Sequence, residues 1–407
     1  MSTVLVTDAE RGSAVSFIRS LARAGHVVIA GDAARISPGR WSRATTASFR
    51  YPDPLVDPDG AADSILEQVV EHDVDVLLPV TDATTRVVES LRDRLPATCR
   101  VGTPPAEAAS VAADKHRTLE LAVELGVPVP ATVVVESPAA ARAAADALGW
   151  PVVVKPVSSL GRDAEGAIRK FEVGYGLDGD DLERKVRVLG AGAPVLLQEH
   201  CAGDGVGVEV LADQGRILRC FSHRRLHEVP VTGGASALRE SIAVDPELLD
   251  YTTRLMSELK WTGLAMVEFK AGPSGYRLME INGRPWGSLP LAVRAGVDFP
   301  ADYVRLLLAG ELDGELDGHG ADVPSSYSVG TVARNLYLEV LWIASVLRGP
   351  TDDSVHVWPP RRAALMALIR LFSPRVEDDI LSVRDPGATI AELMSVAVKV
   401  AGKVRSR

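Results

Sequence analysis

At 407 residues and 43.3 kDa the chain is long enough for two or three domains. A formal net charge of −10, with 46% hydrophobic and 24% charged residues, fits a soluble globular protein and argues against a general nucleic-acid binder or a protein held on anionic membranes. Three scattered cysteines, Cys99, Cys201 and Cys220, with no CxxC pair, exclude a disulfide framework and point to a reducing cytoplasm.

The N-terminus starts a strand at once and lacks the basic and apolar regions of a signal peptide; no window has the uncharged length of a membrane span. Residues 3–8 read as a buried strand, 12–24 as a helix with apolar residues at helical spacing, and 26–30 as the next strand. This β-α-β start predicts parallel strands with crossover helices. No GxGxxG follows the first strand, which argues against a dinucleotide-dependent oxidoreductase. Asp8, Arg11 and Asp32 sit at strand ends, where open α/β sheets bind ligands, but helix capping accounts for them equally well.

A Pro- and Asp-rich loop, 51–60, precedes a helix over 61–72 and a strand over 74–80. Asp82 then either lines a ligand cleft or caps a helix over 83–94. The first domain is expected to span residues 1–108. Asp114 is placed to cap a helix over 115–125, stopped by Gly126. A strand near 127–135 and a helix over 138–148 lead to PVVVK (151–155). Lys155 on this apolar strand either meets an anion or snorkels to solvent. The polar loop SSLGRDAEG (158–166) is suited to folding over phosphates through backbone amides, although it is not rich in glycine.

A helix over 180–189 and a strand over 195–200 run into Cys201-Ala202-Gly203-Asp204-Gly205, a hinge or an ordinary corner. Residues 221–240 carry His223, Arg224, Arg225 and His227 ahead of Gly233-Gly234, and read either as a mobile arm that closes over a polyphosphate or an anionic substrate or as a plain surface loop. Two apolar runs separated by Gly272-Pro273-Ser274-Gly275 read as a β-hairpin. Pairing Lys270 with Tyr276 puts Glu268 opposite Leu278 and diagonal to Glu280, on the face shared with Asn282. Two carboxylates and an amide oxygen suit a hard divalent cation, and Arg284 follows on the same parity. Residues 286–312 give a loop and an amphipathic helix. Residues 330–407 are helical in pattern, over 332–347, 360–372 and 389–400, and form a small cap. Arg334 and Trp342 there either reach the site or pack.

The order of these pieces resembles the ATP-grasp superfamily of carboxylate–amine ligases, nearest to its biotin-carboxylase and carbamoyl-phosphate-synthetase-like branch and to amino-acid ligases. The pieces are Asp114-Lys115, LGVPVP (125–130), VVVKP (152–156), LLQEHCAGDG (196–205), HRRLHEVPVTGGAS (223–236), VEF (267–269) and MEINGRPWGS (279–288). The resemblance implies an α/β and α+β chain: a Rossmann-like pre-ATP-grasp domain (1–108), a central lobe (109–200) and a C-terminal lobe with the metal hairpin (201–315), followed by the helical segment (330–407). It implies ATP and Mg²⁺, with Mn²⁺ an acceptable substitute. Lys115 and Lys155 would contact phosphates. Gln198, Glu199 and Cys201 would read adenine, and Asp204 or Glu209 would hold the ribose. Glu268, Glu280 and Asn282 would bind metal. Arg284, Arg224 and Arg225 would act on the transferring group and the substrate. The implied reaction joins a small carboxylate to an amine through an acyl phosphate, releasing ADP and phosphate; a non-catalytic ATP-binding protein of the same fold is the alternative. A homodimer is compatible with the resemblance.

Overall fold

The computed structural model describes residues 1–157, 160–162, 168–170, 173–189, 194–310, 326–350 and 358–405. The N-terminal domain comprises β1 (Thr3–Val6), α1 (Gly12–Arg23), β2 (Val27–Asp32), β3 (Ala47–Arg50), α2 (Pro58–Glu71), β4 (Val76–Leu78), α3 (Asp82–Ser90) and β5 (Arg100–Val101). Its strands form a parallel sheet in the order β3-β2-β1-β4-β5, as the alternating β-α pattern predicts. Val4, Leu5, Val28, Ile29, Val76 and Leu77 are buried because crossover helices cover both faces. Strand β3 was not legible: its four residues alternate half-buried and exposed at the sheet edge.

Two helices, α4 (Ala106–Ala113) and α5 (Lys115–Glu124), lead out of this domain. Asp114 caps α5 as expected, accepting from the backbone N–H groups of His116 and Arg117. The small lobe follows: β6 (Thr132–Val135), α6 (Pro138–Leu148), β7 (Val152–Pro156), β8 (Leu160–Arg162), β9 (Ile168–Lys170), β10 (Gly174–Gly176), α7 (Gly179–Leu189) and β11 (Val195–Glu199). Its sheet runs β10-β7-β11-β6, and β8 pairs antiparallel with β9. Most of the polar loop 158–166 lies outside the described residues.

The large lobe is built on β12 (Asp204–Asp213), β13 (Arg216–Val229), β14 (Ala235–Ile242), α8 (Pro246–Glu258), β15 (Gly263–Gly272) and β16 (Gly275–Asn282), with α9 (Leu289–Ala295) and α10 (Phe299–Ala309) after it. The C-terminal segment adds β17 (Val332–Arg334), α11 (Leu336–Arg348), α12 (Arg361–Arg370), β18 (Val376–Asp378) and α13 (Pro386–Arg405). Among the described residues one sheet runs β16-β15-β12-β13-β14-β17-β18.

Two expectations are corrected here. The stretch 221–240 is not a loop: residues 221–229 continue β13, residues 235–240 begin β14, and only 230–234 turn between them. Its alternating polar residues conceal a strand whose polar face meets other polar groups in place of an oily core. The C-terminal segment is not all helical either. β17 pairs with β14 and β18 with β17, so the segment extends the sheet. Both strands have only three residues, too short for a periodic signal.

The large sheet has two unlike faces. Val206, Val208, Val210, Cys220, Ala265, Val267, Phe269 and Leu278 point to one, a core closed by α4, α5 and α8. On the other face, one end of the sheet (Leu211, Phe221, Leu264, Met266) joins a second core with α1, α9 and α10. The remainder of that face is polar and forms the floor of the candidate site.

Candidate active site

The hairpin β15–β16 turns at Gly272 and Gly275, which pair directly; Gly275 has φ +87°, a conformation that favours glycine. The register differs from expectation. Lys270 opposes Arg277, and a bulge follows in which Phe269 opposes Leu278 while Glu268 opposes Glu280, leaving Met279 as the extra residue. The bulge keeps Phe269 and Leu278 in the core and moves Glu268 from diagonal to directly beside Glu280. Asn282, two residues on, shares that face; its Nδ2 donates to Glu280 Oε1 at 3.1 Å.

Each carboxylate already balances a cation. Lys115 Nζ lies 3.2 Å from Glu280 Oε2, carried there by the first turn of α5, and the Lys115 backbone N–H donates to Val157 O just beyond β7. Burial would raise the Glu280 pKa, but the Lys115 and Lys155 ammonium groups and the bonds from Asn282 and Lys115 override it and hold the group down, at about 2. Burial pushes the Lys155 ammonium downward, opposed chiefly by Glu280. Lys155 therefore does not snorkel: its Nζ donates to Gln198 Oε1 at 2.7 Å, and Gln198 Nε2 donates to Thr132 Oγ1 at 3.0 Å. The Gln198 side chain is thus a brace for the lysine.

Arg225 and Arg224 diverge because adjacent strand residues face opposite ways. Arg225 Nη2 donates to Glu268, and its Nη1 donates to Glu228 Oε1 at 3.1 Å and Gly234 O at 3.0 Å. Burial would lower the Arg225 pKa; Glu268 and Glu228 outweigh it, so the guanidinium stays charged. Arg224 lies on the other face, bonded to Glu240 at 3.0 Å, and is not brought together with Glu268 and Glu280. On the site face, Gly207 stands between Glu268 and His223. A Cβ on Gly207 would lie 2.5 Å from His223 Cε1, so only glycine leaves room for the ring. His223 Nδ1 bonds the buried carboxylate of Glu209, which is therefore engaged away from a ribose role in this state.

Arg284 leaves the hairpin and reaches the N-terminal domain. Its Nε donates to Asp82 Oδ1 at 2.8 Å, and its Nη2 to Asp82 Oδ2 and Asn282 Oδ1, each at 3.3 Å. The cap of α3 is Thr81, so Asp82 belongs to the cleft. Asp8 braces this corner, accepting from the Thr81 and Thr84 hydroxyls and the Thr81 N–H.

At the hinge, the Glu199 N–H donates to Ala131 O. Cys201 Sγ approaches Glu199 Oε1 at 3.8 Å, and burial followed by the Glu199 charge pushes its thiol up. Asp204 is exposed. Gly203, at φ +140°, packs where a Cβ would meet Ala271 O at 2.2 Å, and Lys270 Nζ donates to its carbonyl at 3.1 Å. Residue 203 is thereby pinned to the β15–β16 hairpin.

Lys115, Lys155, Gln198, Arg225, Glu268, Glu280, Asn282 and Arg284 are thus linked by contacts or by shared sheet face, with Glu199 and Cys201 at the end of the same strand as Gln198. Sequence reasoning missed Glu228 and Thr132 as partners and the Glu209–His223 pair. The period-2 spacing of Gly207, Glu209, His223 and Arg225 is the signal that would have found the last.

Residues 192–324 match a family described as ATP-grasp in the biosynthetic pathway with Ter operon. The carbamoyl phosphate synthase large chain of Rubrobacter xylanophilus is 29% identical over 222 residues, 52% of this chain and 20% of that protein. The chain therefore aligns with about a fifth of the length of such relatives. Among solved structures, a biotin carboxylase from Campylobacter jejuni superposes with a TM-score of 0.62 at 15% identity, covering 81% of this chain and 74% of the other. An L-amino acid ligase from Bacillus licheniformis gives 0.56 at 18% identity, covering 76% and 74%. The chain is thus similar to an ATP-grasp family in sequence over residues 192–324 and to these proteins in fold. The likeness in fold extends over 81% of the chain for the carboxylase and 76% for the ligase.

Proposed function

We propose that the chain is an ATP-dependent carboxylate–amine ligase that works through an acyl phosphate. The observation that carries this reading is the direct pairing of Glu268 with Glu280 on the face that also presents Asn282, Lys115 and Arg284. The donor set is all oxygen, with two carboxylates and one amide, and among the described residues no cluster of three His, Cys, Asp or Glu side chains competes with it. That set fits Mg²⁺, or Mn²⁺, completed by nucleotide phosphates. A bound cation would neutralise phosphate charge. Lys115 and Lys155 would meet the phosphates of ATP, exchanging a carboxylate or amide partner for a phosphate oxygen. The 198–204 hinge would take adenine.

In the reaction, a substrate carboxylate oxygen attacks the γ-phosphorus and the bond to ADP breaks. The amine then adds to the acyl carbon, phosphate leaves with the C–O electron pair, and the amine loses a proton. Arg284 and Arg225, held by Asp82 and Glu268, supply fixed positive charge beside the transferring group, which is what phosphoryl transfer asks of a protein. The similarity to an L-amino acid ligase supports amino-acid-sized substrates.

The test is a screen of carboxylate and amine pairs with MgATP, reading ADP and phosphate. Release of AMP and pyrophosphate would overturn the acyl-phosphate route. Glu280→Gln should abolish turnover with the fold intact. Tight ATP binding without turnover across a broad panel would favour the non-catalytic alternative.

A further inference from the structure

Two histidines of β13 are held by buried carboxylates, and they differ in what else they can meet. His223 bonds Glu209, but its ring is fully enclosed and its Nε2 is sealed without a partner. The Nδ1 of His227 lies 2.9 and 3.0 Å from the two carboxylate oxygens of Glu339, a buried residue of α11. The His227 ring lies flat on the indole of Trp342, with centroids 3.5 Å apart and planes 5° apart. Its side chain is still 12% exposed, and among the described residues its Nε2 takes no hydrogen bond and is not sealed. Asn335, Glu339 and Trp342 share one face of α11. Asn335 caps that helix, and its Nδ2 donates to Asp379 Oδ2 at 3.4 Å; Asp379 also bonds Arg239, which stands directly opposite Arg225 on the site face. This face of α11 therefore runs from the Arg225–Arg239 pair to His227. β13 bulges between the two, with Leu226 as the extra residue, and Glu228 just beyond returns to Arg225. Two residues of strand put His227 roughly 7 Å past Arg225, whose guanidinium holds Glu268.

We propose, on the ligase reading above, that His227 is the group that takes the proton from the incoming amine, with Glu339 and Trp342 as its positioning residues. An amine at neutral pH is largely an ammonium ion and has no lone pair to attack with, so the second half of the reaction needs a proton acceptor. The lysines and arginines of the site are donors. Glu268 and Glu280 are engaged by Arg225 and Lys115. In the neutral His227 ring, Glu339 accepts from Nδ1–H, which leaves the lone pair on Nε2. The amine nitrogen forms the C–N bond, its N–H proton passes to Nε2, and phosphate leaves with the C–O electron pair. The imidazolium so formed is steadied by the carboxylate behind Nδ1 and by the indole face beneath the ring. It then returns its proton to water.

The test separates the two half-reactions on the full chain. The common amino acids are offered as carboxylates with MgATP, and the nucleophile is either a second amino acid or hydroxylamine. Hydroxylamine is largely unprotonated at neutral pH and captures acyl phosphates as hydroxamates without a base. His227→Asn keeps a donor for Glu339 and removes Nε2. It should lower amide formation about 100-fold. Hydroxamate formation should stay within about threefold, because the phosphoryl step is untouched. Glu339→Gln should lower amide formation by about tenfold, the scale of a lost bond to a charged group, with the same sparing of hydroxamate. Circular dichroism checks the fold, and if His227→Asn does not fold, Glu339→Gln carries the same comparison. Equal losses of amide and hydroxamate would overturn the inference and make the pair a brace for α11. Undiminished amide formation in either variant would overturn it as well. Both results leave the ligase reading standing. A wild-type chain that yields neither ADP nor hydroxamate with any carboxylate offered would overturn the ligase reading, and this inference with it.

Discussion

Arg284 and Asp82, 202 residues apart, join at two points: Nε to Oδ1 at 2.8 Å and Nη2 to Oδ2 at 3.3 Å. The N-terminal domain thereby reaches into the site of the large lobe and fixes the plane of the guanidinium, which a single hydrogen bond cannot do. Asp82→Asn keeps the shape and removes the charge. It should lower kcat by about 10- to 100-fold, because a displaced donor costs transition-state stabilisation. The KM for ATP should stay within about threefold, since Lys115 and Lys155 are untouched. Steady-state kinetics with any competent substrate pair checks the split.

Gln198 is the described side-chain acceptor for Lys155, itself pressed toward neutrality by burial. Gln198→Leu should raise the KM for ATP by roughly tenfold, the scale of a lost hydrogen bond to a charged group. Titration calorimetry with a non-hydrolysable ATP analogue provides the direct measurement.

The neighbouring arginines should separate cleanly. Removing Arg225 leaves the Glu268 and Glu228 carboxylates facing each other in a largely buried setting, so Arg225→Ala should cost about 3–5 kcal/mol of stability. Arg224 pairs with Glu240 at a partly exposed position on the far face. Arg224→Ala should cost less than about 1 kcal/mol and leave turnover within about threefold. Urea denaturation and activity of the two variants side by side decide this.

Glu392 gives a pH signature. Burial, opposed by Lys399 and reinforced by Asp378, Asp379 and Glu10, raises its pKa from 4.5 to about 7. Because the folded value is the higher one, its contribution to stability is full below pH 4.5 and is lost as pH rises through 7. The penalty above pH 8 is about 3 kcal/mol by linkage. Glu392→Gln should therefore raise Tm at pH 8, and the gain should vanish near pH 4.5. Thermal melts across that range check the sign.

Much of the site was legible because its residues stand on elements with strong local signals. Asp114 announces the start of α5, and α5 delivers Lys115. The turn between Gly272 and Gly275 announces the hairpin, and alternation puts Glu280 and Asn282 on one face. What stayed hidden depends on partners distant in sequence. The bulge at Met279 arises from keeping Phe269 and Leu278 in the core while aligning two carboxylates, a compromise that neither strand shows alone. Residues 223–229 looked like a loop because strand polarity was judged against an apolar interior, whereas their inner face meets Glu209, Glu268 and Glu339. β17 and β18 are strands only because β14 offers an edge. The Asp82–Arg284 pair crosses two domains and has no local trace.

That edge also bears on where the protein could be shortened. A chain ending before β17 would keep every residue of the candidate site, yet Leu238–Glu240 would lose their ladder and Arg239, wholly enclosed, would lose Asp379. An unpaired strand beside an orphaned guanidinium invites association with other chains. The C-terminal segment is in this sense a selvage that keeps the large sheet from fraying into its neighbours.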